Sequence, residues 1–124
     1  MFFTRRKADR FVNRGDPDSV DFPKESFTCD STWRTLDFSN IIPKGTKAIL
    51  VLVTARSGAV GDNLMFRTNN NSNEINCAYI KTLSAVDSMT PDKWLVPDIN
   101  GIIQYNGSTK VWDNIEVTVR GWIV

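Results

Sequence analysis

Ile115-Glu116-Val117-Thr118-Val119-Arg120-Gly121-Trp122-Ile123 is the stretch on which the reading of this chain turns. Ile115, Val117, Val119, Gly121 and Ile123 alternate with Glu116, Thr118, Arg120 and Trp122. That period of two lets a strand collect its apolar side chains on one face. The odd positions are therefore expected to face a core. Trp122 is expected on the other face, under the leading segment of the chain or against a neighbouring molecule.

Upstream, residues 47–56 (Lys-Ala-Ile-Leu-Val-Leu-Val-Thr-Ala-Arg) are apolar at nearly every position, as in a central strand covered on both faces. Residues 32–38 alternate, with Leu36 and Phe38 on one side and Thr35 and Asp37 on the other. Further strands are expected around Leu64 and Phe66 and over residues 75–82, 94–96 and 102–105. Turn residues separate them: Pro43 and Gly45, then Gly58, Gly61 and Asp62, an asparagine-rich hairpin tip over residues 69–73, and Asn100-Gly101. Only residues 83–92 leave room for a helical turn. Short strands punctuated in this way predict an all-β chain, a single antiparallel β-sandwich of jelly-roll-like form with an extended N-terminal arm.

The charge is split along the chain. Residues 1–14 carry Arg5, Arg6, Lys7, Arg10 and Arg14 against Asp9 alone, about +4; the remaining ten cations and thirteen anions leave about −3. Asp16, Pro17, Asp18, Ser19, Asp21 and Pro23 then break the pattern. The boundaries expected are a basic arm over residues 1–20 and a sandwich over residues 21–124. Self-repulsion among its cations means the arm orders, as helix or strand, only against a partner. Phe2, Phe3 and Phe11 lie among those cations. A solubilising tail has no use for them, so docking on an acidic protein surface is the favoured reading over a solvated tail or phosphate binding.

Catalytic patterns are missing. Without histidine, Ser-His-Asp, Cys-His and the common zinc-water mechanisms are excluded, and two cysteines alone cannot build the usual zinc site. No metal or cofactor is expected. Cys29 and Cys77 read as two small semi-buried hydrophobes or as a disulfide. Asp16, Asp18 and Asp21 are spaced almost like calcium ligands but lack the glycine and distal glutamate of an EF-hand loop. The longest apolar run, residues 48–53, is strand-sized and far short of the roughly 20 residues that span a bilayer. No apolar signal segment follows the basic start, so an intracellularly made product is expected. Trp33, Trp94, Trp112, Trp122, Tyr79 and Tyr105 could fill the core, a protein interface or a sugar-stacking platform.

Two segments carry a resemblance: Leu36-Asp37-Phe38-Ser39-Asn40-Ile41-Ile42-Pro43-Lys44-Gly45-Thr46-Lys47-Ala48, and Val111-Trp112-Asp113-Asn114-Ile115-Glu116-Val117-Thr118-Val119-Arg120-Gly121-Trp122. Together they resemble the small β-sandwich modules of tailed-bacteriophage virion proteins, over residues 36–124 and not over the arm. The resemblance implies a non-enzymatic virion protein, a capsid decoration or head-associated module made in the host cytoplasm. Its implied partners are the major capsid protein or other virion proteins and further copies of itself, as in a trimer, with no membrane or nucleic-acid partner. The partner-binding residues expected are Phe2, Phe3, Arg5, Arg6, Lys7, Arg10, Phe11, Arg14 and Trp122. The alternative is a receptor- or glycan-binding module of a tail or fibre, with two tryptophans as its platform.

Overall fold

Alternation, not helical periodicity, governs the described residues of the computed structural model, which are 8–72, 77–84, 86–108 and 112–124. They form eight strands: β1 (Phe11–Asn13), β2 (Arg34–Asp37), β3 (Ala48–Ser57), β4 (Asn63–Thr68), β5 (Ala78–Lys81), β6 (Asp92–Leu95), β7 (Ile102–Gly107) and β8 (Trp112–Ile123). Two four-stranded antiparallel sheets result, ordered β1-β8-β3-β6 and β2-β7-β4-β5. First pairs with last, second with seventh, third with sixth and fourth with fifth. This is one long antiparallel ribbon wound over itself, the jelly-roll form of the β-sandwich.

Inward positions of both sheets supply the core: Ile49, Val51, Val53 and Ala55 from β3, Ile115, Val117 and Val119 from β8, facing Leu36, Leu64, Phe66, Ile103 and Tyr105 from the second sheet. Phe38 is fully buried and meets Phe22 edge to face at 4.8 Å. Burial of side chains of this size contributes about 1.5–3 kcal/mol each.

β3 is not covered on both faces: its burial alternates, with Leu50, Leu52 and Thr54 only half-buried on the outer face. An unbroken apolar run looks two-sided, but here the second face is roofed only in part. β8 does not keep one alternation to its end. Leu50 stands opposite Gly121 and Val51 opposite Val119, so Arg120 is an extra, bulged residue. Beyond it every side chain changes face, and Trp122 stands opposite Ile49 and packs against the core instead of the outer face. Residues 83–92 hold no helix among those described; Met89 makes a bridge to Ala55 there, and the one 3-10 turn is at Lys24–Ser26. The hairpin tip keeps Asn70 at φ 67, while Asn73, Ile75 and Asn76 lie outside the described residues.

Candidate functional site

The leading basic segment enters the sheet. Phe11, Val12 and Asn13 stand opposite Ile123, Trp122 and Gly121, making β1 an edge strand beside β8. The Arg10 and Val124 backbones exchange two hydrogen bonds, at 3.0 and 2.9 Å, and the Arg14 N–H donates to the Arg120 carbonyl at 3.0 Å. The partner that orders residues 10–14 is thus the chain's own last strand. Phe2, Phe3, Arg5, Arg6 and Lys7 lie outside the described residues.

Glycine makes this attachment possible on the outer face. The Phe11 ring lies over Gly121, where an added methyl group would collide with that ring and come within 2.5 Å of the Val12 carbonyl oxygen. Phe11 reaches across the sheet to Trp94, edge to face at 6.2 Å, and both rings stay about half exposed (47% and 51%).

At the other end of β1, the Arg14 guanidinium donates to both carboxylate oxygens of Asp21, one of these bonds at 2.7 Å, and to the Val119 carbonyl at 3.2 Å. Asp21 also accepts the Val119 N–H at 2.7 Å. Bonding to Asp21 raises the Arg14 pKa above its ordinary value. The clasp closes a loop over residues 15–20, after which Phe22 rejoins β8 opposite Val117. Arg14, expected to bind a partner, is therefore spent on the fold, and Asp21 is not available as a calcium ligand. No group of three His, Cys, Asp or Glu among the described residues could hold a metal. Arg10 is exposed; Asp9 pairs with Lys47.

Of the candidate stacking rings, Trp112 is buried, its Nε1–H donating to the Ser108 carbonyl at 3.1 Å, and Tyr105 is buried with its hydroxyl accepting the Thr28 N–H at 2.8 Å. Trp33 is stacked by the Arg67 guanidinium at 3.8 Å. Trp94 and Tyr79 present exposed rings. An open cleft of about 290 Å3 lies between β6 and the β4–β5 pair, lined by Phe66, Thr68, Cys77, Trp94, Val96 and Ile103.

Cys29 and Cys77 are not joined in a disulfide. Cys29 lies against Gly107, where a methyl group would come within 3.0 Å of its Cβ and still closer to Sγ. Burial, and secondarily the Asp30 charge, pushes its pKa from 9.0 to about 11. Since the thiolate is the nucleophile, alkylation of Cys29 by iodoacetamide at pH 8 is expected to be about 100-fold slower than that of an ordinary thiol. Residue-resolved mass spectrometry in buffer and in urea checks this.

Asp98 organises the turn before β7. Its carboxylate accepts from the Asn69 side chain at 2.9 Å and from the Asn100 and Ile102 N–H groups, both at 2.9 Å. These bonds, the Asn69 one foremost, lower its pKa. A depressed carboxyl stabilises the fold above the ordinary carboxylate range and loses that contribution as pH falls through the folded-state value. Asp98→Ala is expected to cost about 1 kcal/mol at pH 7. In urea melts the gap to wild type should narrow toward pH 3.

No family model, curated protein or solved structure matches the chain. None of the helices among the described residues is long and apolar enough to cross a membrane.

Proposed function

We propose that the protein is a non-enzymatic virion structural component, a capsid decoration or head-associated module that attaches through its basic leading segment. The observation that supports this reading is the placement of that segment. It runs into an edge strand fixed to β8, so Arg10 and the half-exposed Phe11 stand at an open sheet edge, directly downstream of Phe2, Phe3, Arg5, Arg6 and Lys7 in sequence. Repetition on a lattice turns modest single contacts into firm attachment.

Removing residues 1–14 would also remove β1 and the Arg14 clasp, so the informative truncation removes residues 1–7. It should leave the urea midpoint nearly unchanged and reduce copies per purified particle at least about 10-fold. Unchanged copy number in intact particles would sink the reading.

A second reading rests on the exposed Phe11–Trp94 pair: a glycan-binding face, with Trp94 as the stacking ring. Trp94→Ala would then abolish retardation in a polysaccharide gel, with incorporation into particles untouched.

A further inference from the structure

We infer that the outer face of the β1-β8-β3-β6 sheet is a two-part site for an uncharged, hydroxyl-rich glycan, with one sugar stacked on Trp94 and the next seated in a pocket beside the Arg120–Asp92 ion pair. The inference rests on the glycan reading of the exposed rings and specifies where a second sugar residue goes. It starts from strand register. On the outer face Leu50 stands between Gly121 and Trp94, and Leu52 stands between Thr118 and Asp92. Two rows therefore cross the sheet about 7 Å apart, because neighbours on one face are two residues apart along a strand. Phe11, lying over Gly121, completes the first row and braces Trp94 edge to face.

The second row is recessed. Gly15, Asp16 and Pro17 lean over it and share with Leu52, Thr118 and Arg120 a pocket of about 200 Å3, below the range of drug-sized ligands and suited to one sugar ring. Its wall is already fixed. The Gly15 N–H donates to the Asn13 side chain at 2.9 Å, and the Arg14–Asp21 clasp ties the two ends of the loop, so little is left to order on binding. Arg120, the bulged residue of β8, reaches across β3 to Asp92 at 2.6 Å, and both side chains stay about half exposed (49% and 52%). The pair thus offers charged donors and acceptors side by side where the two rows meet, a match for neighbouring sugar hydroxyls.

The same features select the occupant. Two protein sheets pack through flat apolar faces, whereas here a loop stands above the sheet and an ion pair lies in its middle. A second copy on this face would desolvate that pair without giving it hydrogen bonds in place of water. Sugar hydroxyls supply those bonds. Asp16 and Asp92 outnumber Arg120 around the pocket, which disfavours sugars that carry carboxylates.

The probes are cellotetraose, maltotetraose and mannotetraose, each titrated into the 15N-labelled full chain to about 10 mM, enough to occupy a millimolar site. At least one of them should shift both the Trp94 indole N–H and the Thr118 and Arg120 amides. Tetragalacturonate should bind at least about 10-fold more weakly. Trp94→Ala and Arg120→Met should each weaken binding at least about 10-fold, while Tyr79→Ala, which removes an exposed ring on the other sheet, should bind as wild type does. Shifts with none of the three neutral probes, shifts confined to the other sheet, equal binding of tetragalacturonate, or a wild-type dimer that buries Trp94 would each overturn the inference. The wild-type titration decides the matter even if a variant folds poorly. Shifts confined to Trp94, with Arg120→Met binding as tightly as wild type, would sink the two-part site and leave the glycan reading standing.

Discussion

Gly121→Ala is expected to lower stability by about 3 kcal/mol, a larger cost than a single surface methyl group would otherwise carry. The added carbon meets the Phe11 ring and the Val12 carbonyl oxygen. The ring can swing out to solvent because it is already half exposed, but the carbonyl belongs to the β1 backbone. Relief therefore requires β1 to move off β8, which sacrifices the Arg10–Val124 bonds and uncovers Trp122. Urea melts would give the magnitude, and amide exchange at Val12 would show where the structure opens. Phe11→Ala in the same background should recover about 1 kcal/mol, since the two sites touch and their effects are not additive. A Gly121→Ala protein with wild-type stability and a protected Val12 amide would refute this account of the edge strand.

Asp21→Ala should cost about 2–3 kcal/mol. Asp21 answers two donors at once, the Arg14 guanidinium and the Val119 N–H, and its side chain is only 9% exposed. Removing it leaves a partly buried cation uncompensated and a backbone donor beside the Arg120 bulge without its acceptor. Asp21→Asn keeps an acceptor oxygen and should lose roughly half as much. Surface pairs give the contrast. The Arg34–Asp30 and Arg120–Asp92 bridges have side chains about 40–50% exposed, and breaking either should leave the urea midpoint nearly unchanged. Parallel urea melts of the four variants test the ranking.

The all-β architecture was legible because strand burial writes itself locally. Ile115, Val117 and Val119 alternate with polar residues, and Leu36 on β2 does the same with Phe38 just beyond its end, so each strand announces its face without reference to its neighbours. The bulge at Arg120 was not legible, because an extra residue is created by what stands opposite; Arg120 matters only where β3 sets Leu50 and Val51 against Gly121 and Val119. Trp122 was consequently read onto the wrong face. The basic segment misled for a related reason. Its composition is that of a tail, while the features that fix it, a bare Gly121 and the Asp21 carboxylate, lie elsewhere in the chain. Of the residues expected to meet a partner, Arg10 and Phe11 stand at the open edge, and Arg14 and Trp122 are used within the fold.

The nested pairing of the ribbon implies an order of assembly. Closing β4 on β5 spans few residues, β3 on β6 and β2 on β7 span more, and β1 on β8 must join Phe11 to Ile123 across almost the whole chain. Because closure entropy grows with the length enclosed, the innermost hairpin forms most easily and the outermost pair last. The strand carrying the basic residues is then the latest to settle and the first to fray, so its amides should exchange through local opening well before the global transition. Nascent or partly unfolded copies would lack a finished β1–β8 edge, so under the attachment proposed above only molecules that have completed the whole winding would bind.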